Sequence, residues 1–135
     1  VEPYFDVVTT ACEVASGKPS PDIYLKVSDT LQVAPQQCLV FEDIPAGILA
    51  GKRAGMTVCA VEDEFSLDLK EEKQSMADYY IKDYDELLMR EKMNRHDRPS
   101  ELGAMRFCIC YGGRLRGSSV LWACHYQPDP GIPWL

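Results

Sequence analysis

Lys18, Glu42 and Asp43 are the residues of this chain whose types and spacing could do chemistry. Glu42 and Asp43 end an apolar run, Cys38-Leu39-Val40-Phe41. Two adjacent carboxylates repel each other unless a cation sits beside them. Hard oxygen ligands of this kind suit magnesium, which keeps several waters and takes one or two protein carboxylates. Acids at a helix start also offset the helix dipole, so the pair alone serves either purpose. Lys18 lies in Gly17-Lys18-Pro19, just ahead of a helix start. Its ammonium is a compact point charge suited to a phosphoryl oxygen, and equally to a solvated loop.

The elements that must position these residues alternate. Residues 4–9, with Tyr4, Phe5, Val7, Val8 and Thr9, read as a strand. Ser20-Pro21-Asp22 is a helix start: a hydroxyl at the N-cap, proline next and an acid in the first turn. That helix runs to about Gln32, with Ile23, Val27 and Leu31 on one face. The run before Glu42 suits a strand buried on both faces. Pro45 opens a second helix whose small residues, Ala46, Gly47, Ala50, Gly51 and Ala54, allow close packing, and Gly55 ends it. Thr57-Val58-Cys59-Ala60-Val61 is another strand, residues 62–77 contain a surface helix, Tyr79-Tyr80-Ile81 is a short strand, and a helical turn begins at Tyr84. Such alternation predicts an α/β fold with parallel strands and right-handed crossovers. Ligands of such sheets bind at the carboxyl ends of strands, where Glu42 and Asp43 fall.

The residues Gly17-Lys18-Pro19-Ser20-Pro21-Asp22-Ile23-Tyr24-Leu25, then Val40-Phe41-Glu42-Asp43-Ile44-Pro45-Ala46-Gly47-Ile48, then Ala54-Gly55-Met56, occur in that order. Together they closely resemble the β-phosphoglucomutase-like branch of the haloacid dehalogenase superfamily, over about residues 4–88. The resemblance implies the C-terminal part of a Rossmann-like core. It implies that Lys18 bridges a catalytic aspartate and the transferred phosphoryl group. Asp43 would be the direct Mg2+ ligand, and Glu42 would bind the metal or one of its waters. The substrate would be a small phosphorylated metabolite, commonly a sugar phosphate. Many relatives place serine after the acidic pair; Ile44 stands here, so any hydroxyl contact from that position is lost.

The same resemblance implies what is missing. The family's first strand ends in DxDxT, whose first aspartate attacks phosphorus and whose second is the general acid/base. The DxD triplet found, Asp83-Tyr84-Asp85, follows the last strand and reads as a solvated helix start. The second-strand Ser/Thr and the substrate-selecting cap are absent as well. In the family the first two strands lie centrally, between those expected at residues 4–9 and 38–41. A chain without them should expose unpaired edges, and so pair with other copies or need the missing half. It should also be inactive alone, because metal and lysine cannot replace the attacking carboxylate. The alternative is a non-catalytic remnant that binds magnesium, phosphate or a partner protein. The sequence upstream of Val1 bears directly on the choice.

Composition bounds the partners. With 14 Lys and Arg against 21 Asp and Glu, the net charge is −7, which disfavours nucleic acid. No stretch resembles a signal peptide or a membrane span. The six scattered cysteines, with Cys38 and Cys59 inside apolar runs, suggest a reduced, cytoplasmic protein. The chain divides into residues 1–88, the core part, and residues 89–135, a charged linker and irregular tail. From Asp97 onward four arginines face three acids, and Pro128, Pro130 and Pro133 oppose regular structure. So abrupt a break suggests that residues 102–135 are foreign to the family, as after a shift of reading frame. Cys108-Ile109-Cys110 and Cys124-His125 lack the CxxC spacing usual for zinc.

Overall fold

In the computed structural model, residues 5–86, 107–115 and 118–126 are described. Its central strand pair follows from the two most apolar runs. Cys38–Glu42 forms β2 and Thr57–Val61 forms β3; they pair in parallel from Leu39 opposite Thr57 to Glu42 opposite Ala60. Val40, Val58 and Ala60 are fully buried, consistent with strands covered on both faces. Between them runs α2, Pro45–Arg53, with proline at its first turn and Lys52 and Arg53 at its last, where they complement the dipole. Gly55 follows at φ +79°, a left-handed turn that glycine enters without steric cost.

Before β2 come β1, Val7–Thr10, and α1, Asp22–Thr30. Pro21 caps α1, while the Ser20 hydroxyl bonds the Asp22 carboxylate (2.8 Å). Ile23, Tyr24 and Val27 turn into the core against Val40, Ile48 and Val58. After β3, a 3-10 segment, Glu64–Leu69, leads into α3, Lys70–Met76, and β4, Tyr79–Ile81, pairs in parallel with β3. The expected α/β core with parallel strands is thus borne out.

The tail departs from expectation. Phe107–Leu115 forms β5 and Ser118–Tyr126 forms β6, an antiparallel pair separated in sequence by residues 116 and 117 alone. The sheet order is β1-β6-β5-β2-β3-β4. β5 runs parallel to β2, with Cys38 opposite Cys108 and Phe41 opposite Tyr111. β6 runs antiparallel to β1, with Val7 opposite Ala123. Every strand but β6 therefore points the same way. The expectation of an irregular tail is corrected for residues 107–115 and 118–126. Central strands need no alternating pattern, so a search for periodicity does not find them. The expectation of unpaired edges on β1 and β2 is corrected too, because the hairpin fills the gap between them. Residues 127–135, with their three prolines, lie outside the described residues.

Candidate active site

Strand β2 carries Glu42 as its last residue and delivers Asp43 just beyond the sheet, at the carboxyl end. Lys18 reaches the same place from the loop before α1, where the Lys18–Pro19 peptide is cis. Its ammonium donates to Glu42 Oε1, and so does the Tyr24 hydroxyl from the buried face of α1. The Lys18 ammonium also stands 5.8 Å from the centre of the Tyr24 ring. The structure thus joins two elements 24 residues apart that the sequence had only set in order.

Glu42 is 1% exposed. Its other oxygen, Oε2, has no hydrogen-bond partner among the described residues. Burial pushes this carboxyl above the usual carboxylate range; Lys18 and the Tyr24 hydroxyl pull it back, and the charge of Asp43 adds to the rise. The carboxylate is seated on Gly47 of α2: a Cβ there would coincide with it. Glycine at this position therefore makes the room in which Glu42 meets Lys18.

Asp43 is half-buried, and among the described residues its carboxylate makes no hydrogen bond or ion pair. It borders a cavity of about 200 Å3 between the ends of β2 and β3, together with Phe41, Glu62, Asp63 and Tyr84. The neighbouring acids are already engaged. Glu62 accepts from Lys70 Nζ and the Tyr80 hydroxyl, both at 2.9 Å, and Asp63 accepts from the Phe65 amide at 3.1 Å. A larger groove of about 620 Å3 runs along Leu25, Asp29, Val33 and Pro35, away from these residues.

This donor set fits magnesium in one respect. Asp43 is a free hard oxygen donor beside a buried carboxylate with an unsatisfied oxygen, and magnesium asks for only one or two carboxylates. Among the described residues no three acids, histidines or cysteines gather into a protein-only metal cage. Asp83 caps its own turn, accepting from the Glu86 amide at 2.8 Å, as expected of a solvated helix start. Cys38 and Cys59 are buried, again as expected. Cys108 stands opposite His125 in the hairpin register.

Four residues of the site had no role assigned from sequence: Tyr24 and Gly47, which stand in the motifs quoted above, and Ser66 and Lys73. Lys73 Nζ is wholly buried and donates to the carbonyls of Asp43 and Val61, both at 3.0 Å, and to Ser66 Oγ at 2.9 Å. A signal for it exists. Leu69, Lys73 and Met76 recur at helical spacing, which places the lysine on the inward stripe of α3.

Residues 1–55 match the family described as haloacid dehalogenase-like hydrolase. Over 51 residues the chain is 55% identical to a validoxylamine A 7'-phosphate phosphatase from Streptomyces hygroscopicus subsp. limoneus, covering 38% of this chain and 24% of that protein. Over 56 residues it is 52% identical to hexitol phosphatase A of Escherichia coli (strain K12), covering 42% and 26%. Over 79 residues it is 37% identical to protein CbbY of Rhodobacter capsulatus, covering 58% and 34%. The aligned region spans between about a quarter and a third of the length of these relatives.

Proposed function

We propose that this chain carries part of a haloacid dehalogenase superfamily core, of β-phosphoglucomutase-like type, and holds the lysine and metal half of a magnesium-dependent phosphoryl-transfer site. The ligand is a small phosphate ester such as a sugar phosphate, in keeping with what two of the relatives' names say they act on. The observation that carries this reading is the Lys18–Glu42 ion pair beside an unengaged Asp43 at the carboxyl end of a parallel strand. Asp43 would hold the metal, which when bound offsets negative charge on phosphoryl oxygens. Lys18 meets the phosphoryl group directly, and Glu42, fixed by Tyr24 and Gly47, keeps that ammonium in place.

A specific observation favours binding over turnover for this chain alone. On the side of β2 away from β3 the neighbouring strand is β5, and its sequence, Phe-Cys-Ile-Cys-Tyr-Gly-Gly-Arg-Leu, contains no carboxylate to attack phosphorus. The nucleophile of a complete site would come from sequence outside the described residues.

The test is direct. The purified chain is titrated with magnesium and with inorganic phosphate, and incubated with a generic aryl phosphate. We expect both ligands to bind, Asp43→Asn to abolish magnesium binding, Lys18→Gln to weaken phosphate binding, and no turnover. Binding of neither ligand overturns the proposal. Magnesium-dependent turnover lost in Asp43→Asn would establish instead that this chain is itself a catalyst.

A further inference from the structure

We infer that Lys73, assisted by Ser66, is the positioning residue of Asp43: it fixes the main chain at the end of β2 so that the Asp43 carboxylate faces a cation in one orientation. This rests on the proposed role of Asp43 as a metal ligand.

In sequence Lys73 lies in the charged segment Lys70-Glu71-Glu72-Lys73, yet it is 0% exposed. Buried lysines are ordinarily paired with a carboxylate. Among the described residues this one has no such partner, and its hydrogen bonds go to neutral acceptors. An ammonium has three N–H donors. Here each meets an acceptor from a different segment: the Asp43 carbonyl after β2, the Val61 carbonyl at the end of β3, and the Ser66 hydroxyl in the 3-10 segment. Ser66 Oγ in turn donates to the Asp43 carbonyl at 3.1 Å. One backbone oxygen, that of Asp43, therefore receives two side-chain donors from the segment after β3. Packing of α3 would be served as well by methionine at this position. The ammonium adds a tripod that ties the ends of two neighbouring strands and converges on the residue whose carboxylate is free.

A positioning role can be separated from plain stabilisation and from the charge of the lysine. Magnesium demands near-ideal octahedral geometry, whereas calcium accepts flexible, irregular coordination. Deleting a nearby positive charge changes affinity for both divalent ions alike; loosening the ligand penalises magnesium selectively. Dissociation constants for magnesium and calcium are measured by calorimetry on the full chain, below the unfolding midpoint of each variant. Lys73→Met should lower the preference for magnesium over calcium about tenfold, and Ser66→Ala about threefold, through loss of site rigidity. Lys52→Met, which cuts the lysine tie to Asp78 elsewhere on the fold, should leave the preference unchanged. An unchanged preference in Lys73→Met and Ser66→Ala overturns the inference, whatever their stability. If Lys73→Met does not fold, Ser66→Ala decides alone. Should the wild type bind neither ion, the metal reading of Asp43 fails and amide exchange decides: acceleration confined to residues 43–48 in Ser66→Ala supports the positioning role, and none there overturns it.

Discussion

At the residue scale, the site is organised around a buried carboxylate. Glu42 meets Lys18 and Tyr24 through one oxygen, and Gly47 leaves the space it occupies. The sequence placed Glu42 beside Asp43 and suggested that both serve the metal. The structure divides them, because Glu42 is committed to Lys18 while the Asp43 carboxylate is unengaged among the described residues. The role of Gly47 is therefore testable by the smallest possible addition. Gly47→Ala would force a methyl group into the Glu42 carboxylate. Overpacking of that kind costs about 1–3 kcal/mol. We expect a loss of that size in urea unfolding, together with weaker phosphate binding through the displaced Lys18. An unchanged midpoint and unchanged binding would show that Glu42 does not occupy this seat.

At the element scale, parallel strands and helices are tied by a few side chains that capture backbone groups. Asp78, between α3 and β4, accepts from Lys52 Nζ of α2 at 2.6 Å and from the Val58 amide of β3 at 2.8 Å. Burial raises the Asp78 carboxyl, but these donors outweigh it and hold it below the usual value. An acid whose native pKa is depressed contributes stability above its unfolded pKa and loses it as pH falls through the native one. Stability of the wild type should therefore decline on acidification from about pH 5 downward. In Asp78→Asn, which has no carboxylate to protonate, that decline should be shallower and stability at neutral pH lower. Parallel acid limbs for the two proteins, followed by urea midpoints across pH, would refute the assignment.

At the scale of the whole molecule, the sheet is completed from the far end of the chain. The β5–β6 hairpin stands between β1 and β2, and pairs with both. Ile109 is registered with Leu39 on one side and Cys124 on the other. Proline in a central strand removes a ladder hydrogen bond and is found essentially only at edges. Ile109→Pro should cost about 3 kcal/mol or more in urea unfolding, and should leave β1 and β2 with edges able to pair with other copies. Gel filtration of the variant should then show more self-association than the wild type. A variant as stable and as monodisperse as the wild type would place the hairpin outside the sheet. No helix among the described residues is long and apolar enough to cross a membrane.

Much of the fold was legible in local sequence. The strands at Cys38–Glu42, Thr57–Val61 and Tyr79–Ile81, the proline at the start of α2 and the glycine after its end follow from apolar runs and turn residues. These are short-range preferences, which a single segment expresses without its neighbours. The order Gly17-Lys18-Pro19 then Glu42-Asp43 likewise identified the chemistry in advance of its geometry. Partnership was decided only by tertiary structure. Lys73 looks like a surface lysine until α3 packs beside α2 and β4, where two carbonyls and a hydroxyl surround its ammonium. Glycine at residue 47 is merely small until Glu42 arrives from β2. The tail shows no periodicity because its strands draw their definition from β1 and β2, roughly 70 to 115 residues away in the chain.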